Sequence, residues 1–279
     1  MHNRNNALVL LRGGGDLASG VALRLYRAGI KLVITELAQP LAVRRTVSFS
    51  EAVYEAIHTV EGVTARRVEP DQIKAALEAN EIPTLIDPNA DILSQITNYQ
   101  LPIVVDARLL KSPPSPLPVD VSLYIGLGPG FHAGRDCSAV IETRRSHTLG
   151  RVFWTGTAQA DSGKPEGDPR RVLRAPADGI LVGIARIGDH VEAGQIIAEI
   201  QSEIRNLGSK IESPFKGVLR GLIRPGLHVT KGLKIGDVDP RDDPAACYLV
   251  SDKALAIGGG VLEAILSREE IRSRLYASS

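Results

Sequence analysis

The sequence predicts an α/β fold built on a parallel sheet, followed by a small all-β domain. Two observations predict the first part: a glycine-rich turn separates an apolar run from an amphipathic run within residues 7–27, and later apolar runs end in aspartate. Strands buried on both faces of a parallel sheet have such continuous apolar sequences. A repeat with a period of 38 residues, between residues 172 and 240, predicts the all-β part.

The stretch from Arg12 to Gly20 matches a dinucleotide-binding turn, because Gly13, Gly15 and Ala18 occupy its three small-residue positions. Gly13 allows a tight turn, Gly15 lets backbone amides approach a pyrophosphate, and Ala18 lets the helix lie close to the strand. The start of the helix supplies unpaired N–H groups and the positive end of the helix dipole. The predicted phosphate-binding residues are Gly13, Gly14, Gly15, Asp16, Leu17 and Ala18.

A second apolar run, Lys31 to Thr35, leads into Glu36. An acidic residue about 20 positions beyond the glycines is where a carboxylate would bind the hydroxyl groups of a ribose. Glu36 is therefore predicted to contact the ligand. The alternative interpretation of the whole stretch is a glycine-rich turn in an α/β fold that binds no ligand.

Charged residues that follow other predicted elements extend the candidate site. Arg44 and Arg45 could pair with a phosphate, or they could be solvated or structural arginines. Asp106 and Arg108 follow an apolar run, and the carboxyl ends of parallel strands face the ligand crevice of an open sheet. Their alternative role is an ion pair that fixes the loops. Asp87, which ends another apolar run, is a candidate by the same argument.

Cys137 is the candidate catalytic residue. It follows a second glycine-rich loop, at residues 126–134, and has His132, Arg135 and Asp136 as near neighbours in sequence. A cysteine beside cationic side chains can be a thiolate at neutral pH, and hence a nucleophile or a sulfur carrier. The alternative is a small buried hydrophobic residue.

Composition favours a folded soluble protein of the cytoplasm. The 279 residues are 43% hydrophobic and 23% charged, and the net charge of +1 argues against nucleic-acid and membrane partners. No apolar run approaches the roughly 20 residues that span a bilayer, and no secretory signal precedes residue 7. Two cysteines are too few for a disulfide framework or a cysteine-rich metal site, so no metal site is predicted.

Three segments are predicted: residues 1–155, 172–240 and 245–279. A polar, Gly- and Pro-rich linker at 155–171 separates the first two. The third contains Gly258-Gly259-Gly260 in a predicted helix, which indicates close packing on another backbone, with the segment returning to the first domain. The repeat of the second segment places Pro176, Gly179, Gly188, Val191 and Gly194 in correspondence with Pro214, Gly217, Gly226, Val229 and Gly232.

Two resemblances sharpen these predictions. Six segments together resemble the YqeB family, accessory proteins of the selenium-dependent molybdenum hydroxylase system: the glycine turn, Val43–Phe49, Val105–Arg108, Gly126–Phe131, Val140–Arg145 and Ala254–Gly260. In its nucleotide-binding part the chain is similar to the chaperones that insert the cofactor into xanthine dehydrogenase. This resemblance implies a Rossmann-like first domain. The repeat resembles the biotinyl/lipoyl-like modules, which implies a barrel-sandwich hybrid.

The resemblance implies a maturation factor. Together with the glycine turn, it gives the leading hypothesis of an accessory protein that binds a molybdenum cofactor dinucleotide, or a related nucleotide, and prepares or delivers it. Molybdopterin dinucleotide and NAD(P) both carry a pyrophosphate, so the turn does not distinguish them. The partners expected are this small molecule and the apo-subunit of a molybdenum hydroxylase, with self-association left open. An NAD(P)-dependent oxidoreductase and a non-catalytic assembly scaffold are the alternatives, and the sequence does not decide whether the protein is an enzyme.

Overall fold

The computed structural model describes residues 7–96, 101–160, 167–201 and 208–275. The chain folds into two compact units, and each is described separately. Residues 41–48, which the sequence-based division left in the first domain, group with the second unit. The predicted linker lies partly outside the described residues, which omit 161–166. Unit 1 comprises Met1–Pro40, Phe49–Asp161 and Val250–Ser279, and unit 2 comprises Leu41–Ser48 and Ser162–Leu249.

Unit 1 contains a nine-stranded sheet. Its central strand, β1, is completely buried because it pairs in parallel with a strand on each side. The apolar runs that precede Asp87 and Asp106 form two of the other parallel strands, as predicted. The strands are β1 (Ala7–Arg12), β2 (Leu32–Glu36), β3 (Ile57–Val60), β4 (Val63–Arg67), β5 (Ile82–Ile86), β6 (Leu101–Asp106), β7 (Leu123–Leu127), β8 (Ala139–Ile141) and β9 (Val152–Phe153).

Five α-helices and three 3₁₀ helices complete unit 1 in the described residues. The longest α-helices come from opposite ends of the chain, one directly after the glycine turn and one after unit 2. The α-helices are α1 (Asp16–Arg27), α2 (Ala52–Glu55), α3 (Ile73–Glu78), α4 (Asp252–Leu266) and α5 (Glu269–Leu275), and the 3₁₀ helices are Phe49–Glu51, Pro70–Gln72 and Asp91–Ser94.

The prediction of a Rossmann-like parallel sheet is wrong. The sheet is mixed, with the order β3-β4-β5-β2-β1-β6-β7-β8-β9, because β3 is antiparallel to β4 and β9 is antiparallel to β8. The connections from β6 to β7 and from β7 to β8 contain no helix in the described residues. Four prolines between residues 112 and 118 help to explain why the connection from β6 to β7 has no helix there, because proline removes a helical hydrogen bond. The helix-covered crossovers of a doubly wound fold are therefore not reproduced.

Gly258, the first glycine of the triple in α4, lies close against α1. A Cβ atom on Gly258 would lie 2.6 Å from the carbonyl oxygen of Gly20. Arg24 Nε donates a hydrogen bond to Leu255 O at 3.3 Å across the same interface. Glycine therefore allows the backbones of the two helices to approach where any side chain would separate them.

The described residues of unit 2 form eight strands whose arrangement follows the sequence repeat. β11, β12 and β13 return 38 residues later as β15, β16 and β17. The two-residue strand of each half pairs with the sheet of the other half, β12 with β15 and β16 with β11. The strands are β10 (Val172–Arg174), β11 (Gly179–Gly183), β12 (His190–Val191), β13 (Ile196–Gln201), β14 (Gly208–Glu212), β15 (Gly217–Leu222), β16 (His228–Val229) and β17 (Lys234–Asp239).

The prediction of a biotinyl/lipoyl-like barrel-sandwich hybrid is also wrong. The eight strands form two four-stranded antiparallel sheets, in the orders β10-β17-β15-β12 and β14-β13-β11-β16. No ladder joins the two sheets in the part of the chain that the structure describes. A repeat with glycine turns specifies short antiparallel strands, but it does not specify whether the sheets close into a barrel.

Candidate functional site

The glycine turn forms where β1 ends and α1 begins. Gly13 has φ +93°, a conformation that glycine adopts without strain, and its N–H donates to Thr35 O at 2.7 Å. A Cβ atom on Gly13 would lie 3.5 Å from the backbone of Ala107 and 3.6 Å from the N atom of Arg108. The turn therefore lies beside the residues that follow β6.

Glu36, at the end of β2, holds this turn in place. Its Oε2 atom accepts a hydrogen bond from Gly14 N at 2.7 Å, and its Oε1 atom accepts one from Leu37 N at 2.7 Å. A carboxylate oxygen can accept two hydrogen bonds. The predicted ribose-binding residue thus supports the turn directly and keeps acceptor capacity for a ligand.

The segment at residues 49–51 covers Gly14. Ser50 N donates to Gly14 O at 2.8 Å, and a Cβ atom on Gly14 would lie 2.8 Å from Ser50 N. Ser19 Oγ accepts a hydrogen bond from Phe49 N at 2.9 Å and donates one to Gly14 O at 3.3 Å. No sequence signal marks Ser50 as a neighbour of the turn, because the contact joins residues 36 positions apart.

Gly15 is a partly buried residue of the turn with open space beside its Cα atom. It is the N-cap of α1, with φ −71° and ψ −175°, and no side chain caps the helix at this end. A Cβ atom on Gly15 would meet no heavy atom within 4 Å. Asp16, Leu17 and Ala18 form the first turn of α1, and Ala18 is buried. The structure thus brings the six predicted turn residues and Glu36 together.

Asp106 and Arg108 form a bidentate ion pair beside the turn. Asp106 is fully buried, and it accepts hydrogen bonds from Arg108 Nε at 2.9 Å and Arg108 Nη2 at 2.6 Å. Arg12 Nη1 lies 3.7 Å from the same carboxylate, and Arg12 Nη2 donates to Pro88 O at 3.1 Å. Two guanidinium groups therefore surround this one carboxylate next to Gly13.

Tyr124 is a member of this cluster that the sequence did not indicate. Its hydroxyl group donates to Asp106 Oδ2 at 3.1 Å, and its ring packs edge-to-face on Phe131 with centroids 6.2 Å apart. Burial and, to a smaller extent, the negative charge of Asp106 raise the pKa of the Tyr124 phenol. The tyrosine is therefore a neutral hydrogen-bond donor that helps to fix the carboxylate.

Arg44 and Arg45 have structural roles in unit 2. Arg44 Nη2 donates to Ala246 O at 3.1 Å and to Leu249 O at 2.8 Å, and Arg45 Nε donates to Leu222 O at 2.8 Å. Arg44 is buried and Arg45 is partly buried, and guanidinium groups that bond backbone carbonyls there satisfy polar groups of the fold. These contacts favour the structural alternative over the predicted phosphate contacts.

The surroundings of Cys137 do not support a thiolate. The side chain is buried, and Sγ donates to Ala139 O at 3.3 Å. Burial raises the pKa of the Cys137 thiol to about 11, and the neighbouring Asp136 carboxylate adds to the increase. Arg135, the cation expected to activate the thiol, instead pairs with Asp136 through Nε and Oδ1 at 2.8 Å. Cys137 is a protonated, buried thiol at neutral pH.

Two general properties complete the description of the site. In the part of the chain that the structure describes, no group of three or more His, Cys, Asp or Glu side chains is arranged to hold a metal ion. The same residues include no helix with the length and apolar character to cross a membrane.

Comparison with solved structures gives weak likenesses that each cover 83% of this chain and 84% of the other. The product-bound ectoine utilization protein EutE (DoeB) of Ruegeria pomeroyi is 12% identical, with a TM-score of 0.26. An aspartoacylase family protein of Mesorhizobium loti is 10% identical with a TM-score of 0.26, and a succinylglutamate desuccinylase/aspartoacylase of Rhodobacter sphaeroides is 13% identical with a TM-score of 0.28. TM-scores of this size establish neither a shared fold nor a shared activity.

Sequence comparison gives a much stronger relationship. No family model matches the chain. The uncharacterized protein YqeB of Escherichia coli strain K12 is 45% identical to it over 270 residues, which is 95% of this chain and 48% of YqeB. The chain thus spans about half the length of this relative. This identity supports the resemblance to the YqeB family that the motifs indicate, and it makes the chain a homologue of YqeB over 95% of its length.

Proposed function

We propose that this protein is an accessory protein of cofactor maturation whose glycine turn binds the phosphate groups of a dinucleotide-type ligand. The observation that carries the proposal is the start of α1, where Gly15 faces open space and no side chain caps the helix. Unpaired N–H groups and the positive end of a helix dipole favour an anion at such a position.

The guanidinium groups beside the turn support the same ligand class. Arg12 and Arg108 lie around Asp106 next to Gly13, and their two positive charges balance the carboxylates of Asp106 and Glu36. Arg108 is 30% exposed at its side chain, so its guanidinium group is accessible while Asp106 orients it. A planar guanidinium group of fixed orientation suits a phosphate oxygen.

The resemblance described above makes a molybdenum cofactor dinucleotide, or a related nucleotide, the ligand of the proposal. The protein then prepares or delivers that cofactor for a selenium-dependent molybdenum hydroxylase. NAD and NADP carry the same pyrophosphate linkage, so the phosphate contacts of the turn do not separate these ligands. The choice between them is made by direct binding measurements.

The test is calorimetric titration of the full chain with molybdopterin dinucleotide, NAD and NADP. Gly15→Asp places a carboxylate at the phosphate position, whereas Gly15→Ala adds a methyl group that has space around it. We expect the wild type and Gly15→Ala to bind molybdopterin dinucleotide, and Gly15→Asp to bind it at least tenfold more weakly, with circular dichroism confirming that both variants fold. Equal affinity of Gly15→Asp and wild type, or binding of none of the three ligands, contradicts the proposal.

A further inference from the structure

A cleft of about 320 Å³ opens in unit 1 between the loops that follow β4 and β5. Its apolar wall includes the buried residues Val68, Leu85 and Ile92, and Ile86 at its edge is 48% exposed. Ligand pockets range from about 300 to about 1,000 Å³, so this volume suits one ring system with its sugar rather than a whole dinucleotide.

The cleft is connected to the glycine turn through Glu36. Ile86 is the register partner of Glu36, and Asp87 N donates to Glu36 O at 3.0 Å. The carboxylate of Glu36 holds Gly14 N at 2.7 Å. Since β4, β5, β2 and β1 are consecutive in the sheet and neighbouring strands lie about 4.8 Å apart, the cleft lies roughly 10–12 Å from the turn. A ligand whose phosphates lie at the turn can extend across β2 and place its far end in the cleft.

The charges of the cleft exclude a phosphate from it. Glu69, Asp87 and Asp91 contribute three negative charges, and Arg67 contributes one positive charge, so the sum is −2. Arg67 Nη1 also donates to Val53 O at 2.7 Å, which directs part of that guanidinium group to the protein backbone. The lining therefore favours a neutral group that carries N–H donors.

Acceptor atoms for such donors are present at the opening. The two oxygens of Asp87 accept backbone N–H groups of Asp91 and Ile92, each at 2.9 Å, and each keeps a further lone pair. Asp91 and Gln95 also line the cleft and are exposed. Carboxylate oxygens at the edge of an apolar wall can distinguish a ring with an exocyclic amine from one with a carbonyl group at the same position, because the amine donates a hydrogen bond to the carboxylate whereas the carbonyl oxygen is repelled by it.

We propose that this cleft binds the amine-bearing heteroaromatic ring of the ligand whose phosphates the glycine turn holds. The inference rests on the proposed function and adds specificity to it. The apolar wall contacts the ring, and the carboxylates accept hydrogen bonds from the exocyclic amine of adenine or cytosine at the position where hypoxanthine and uracil present a carbonyl oxygen.

The experiment titrates the full chain with matched pairs of nucleotides, ADP against inosine diphosphate and CDP against UDP. ADP should bind about tenfold more tightly than inosine diphosphate, and CDP about tenfold more tightly than UDP. Asp91→Ala should remove most of the preference for ADP, and Ile86→Ala should weaken ADP and inosine diphosphate to a similar extent. Ile184→Ala, which truncates a similarly exposed isoleucine of unit 2, is the control and should bind all four as the wild type does.

Inorganic pyrophosphate separates the failure of this inference from the failure of the proposed function. The cleft assignment is overturned, and the phosphate site stays in place, if two results are found together. Pyrophosphate binds the wild type but not Gly15→Asp, and the affinities are equal within both nucleotide pairs. A preference for amines that Asp91→Ala and Ile86→Ala leave unchanged also overturns the cleft assignment, because the ring then binds elsewhere. Binding of neither pyrophosphate nor any nucleotide overturns both.

Discussion

Glu36 accepts a hydrogen bond from the backbone N–H of Gly14 at 2.7 Å, so the acidic residue at the end of β2 fixes the shape of the glycine turn. Its other oxygen holds the next backbone N–H of its own loop, Leu37 N, at 2.7 Å. The protein's own contacts therefore hold the turn in shape. A preformed turn favours binding, because little conformational entropy is lost on association.

Replacement of Glu36 should loosen the turn. Glu36→Ala removes a charged acceptor from two backbone N–H groups, so we expect the free energy of unfolding in urea to fall by about 1–3 kcal/mol and the affinity for pyrophosphate to fall with it. Glu78→Ala is the matched control, since Glu78 is exposed and its contact with Lys74 is 3.9 Å long. That control should change stability by less than about 0.5 kcal/mol. Equal effects of the two substitutions would contradict the role assigned to Glu36.

Replacement of two adjacent glycines of α4 by alanine should change the stability of unit 1 in opposite directions. Gly258→Ala forces a Cβ atom to within 2.6 Å of Gly20 O, so it should destabilise unit 1 by about 1–3 kcal/mol through separation of α1 and α4. Gly259→Ala meets no atom within 4 Å and should stabilise the same helix by about 0.5–1 kcal/mol. Thermal unfolding of both variants is the measurement. Destabilisation of similar size in both would show that close packing is not the reason for the glycines.

The elements around the turn could be predicted because their signals are contiguous in the chain. The apolar residues before Gly13, the small residues of the turn and the amphipathic residues after it form β1 and α1 as the pattern indicates. The 38-residue repeat likewise appears in the positions of β11–β13 and β15–β17. Local sequence determines such elements because turn conformation and side-chain periodicity act over a few residues.

The features that were not predicted depend on residues distant in sequence. Strand direction at the two ends of the large sheet is set by tertiary pairing, so β3 and β9 could not be recognised as antiparallel from their sequences. Arg44 bonds carbonyl groups about 200 positions away, and Tyr124 reaches a carboxylate 18 positions away. The charged sequence neighbours of Cys137 suggested a thiolate at neutral pH. Burial instead raises the pKa of the Cys137 thiol, and burial depends on the tertiary fold.

Cys137 should react slowly with thiol reagents in the folded protein. Burial raises the thiol pKa from its ordinary value of 9.0 to about 11, so its thiolate fraction at pH 7.5 is lower by a factor of roughly 100. In a Cys247→Ala background, which leaves Cys137 as the only thiol, the alkylation rate by iodoacetamide should rise steadily with pH and show no inflection below pH 9. The same chain in urea provides the unfolded reference. An inflection near pH 7 in the folded protein would restore the catalytic interpretation.

Asp239 should make unit 2 sensitive to acid. The Arg241 side chain, together with backbone bonding and Arg220, lowers the pKa of the Asp239 carboxyl group to about 2. A folded-state pKa below the unfolded value of about 3.9 stabilises the protein above pH 4, and that contribution is lost as the pH falls from about 4 to about 2. Asp239→Asn should therefore show a smaller decrease of the urea midpoint over this range than the wild type. Asp120→Asn, which changes an exposed carboxylate, should retain the wild-type decrease.

Asp106 should be the most sensitive residue of the cluster beside the turn, because it is fully buried and three side chains depend on it. Asp106→Asn leaves the buried Arg12 without its counter-ion, and loss of one member of a buried pair costs about 3–5 kcal/mol. Tyr124→Phe removes one hydrogen bond and should cost about 1 kcal/mol. The loss of stability in Arg108→Gln should lie between those of Asp106→Asn and Tyr124→Phe. The Arg108 side chain is 30% exposed, and Asp106 keeps Arg12 and Tyr124 as partners in this variant. Urea unfolding of the three variants measures this order, and an Asp106→Asn protein within about 1 kcal/mol of the wild type contradicts it.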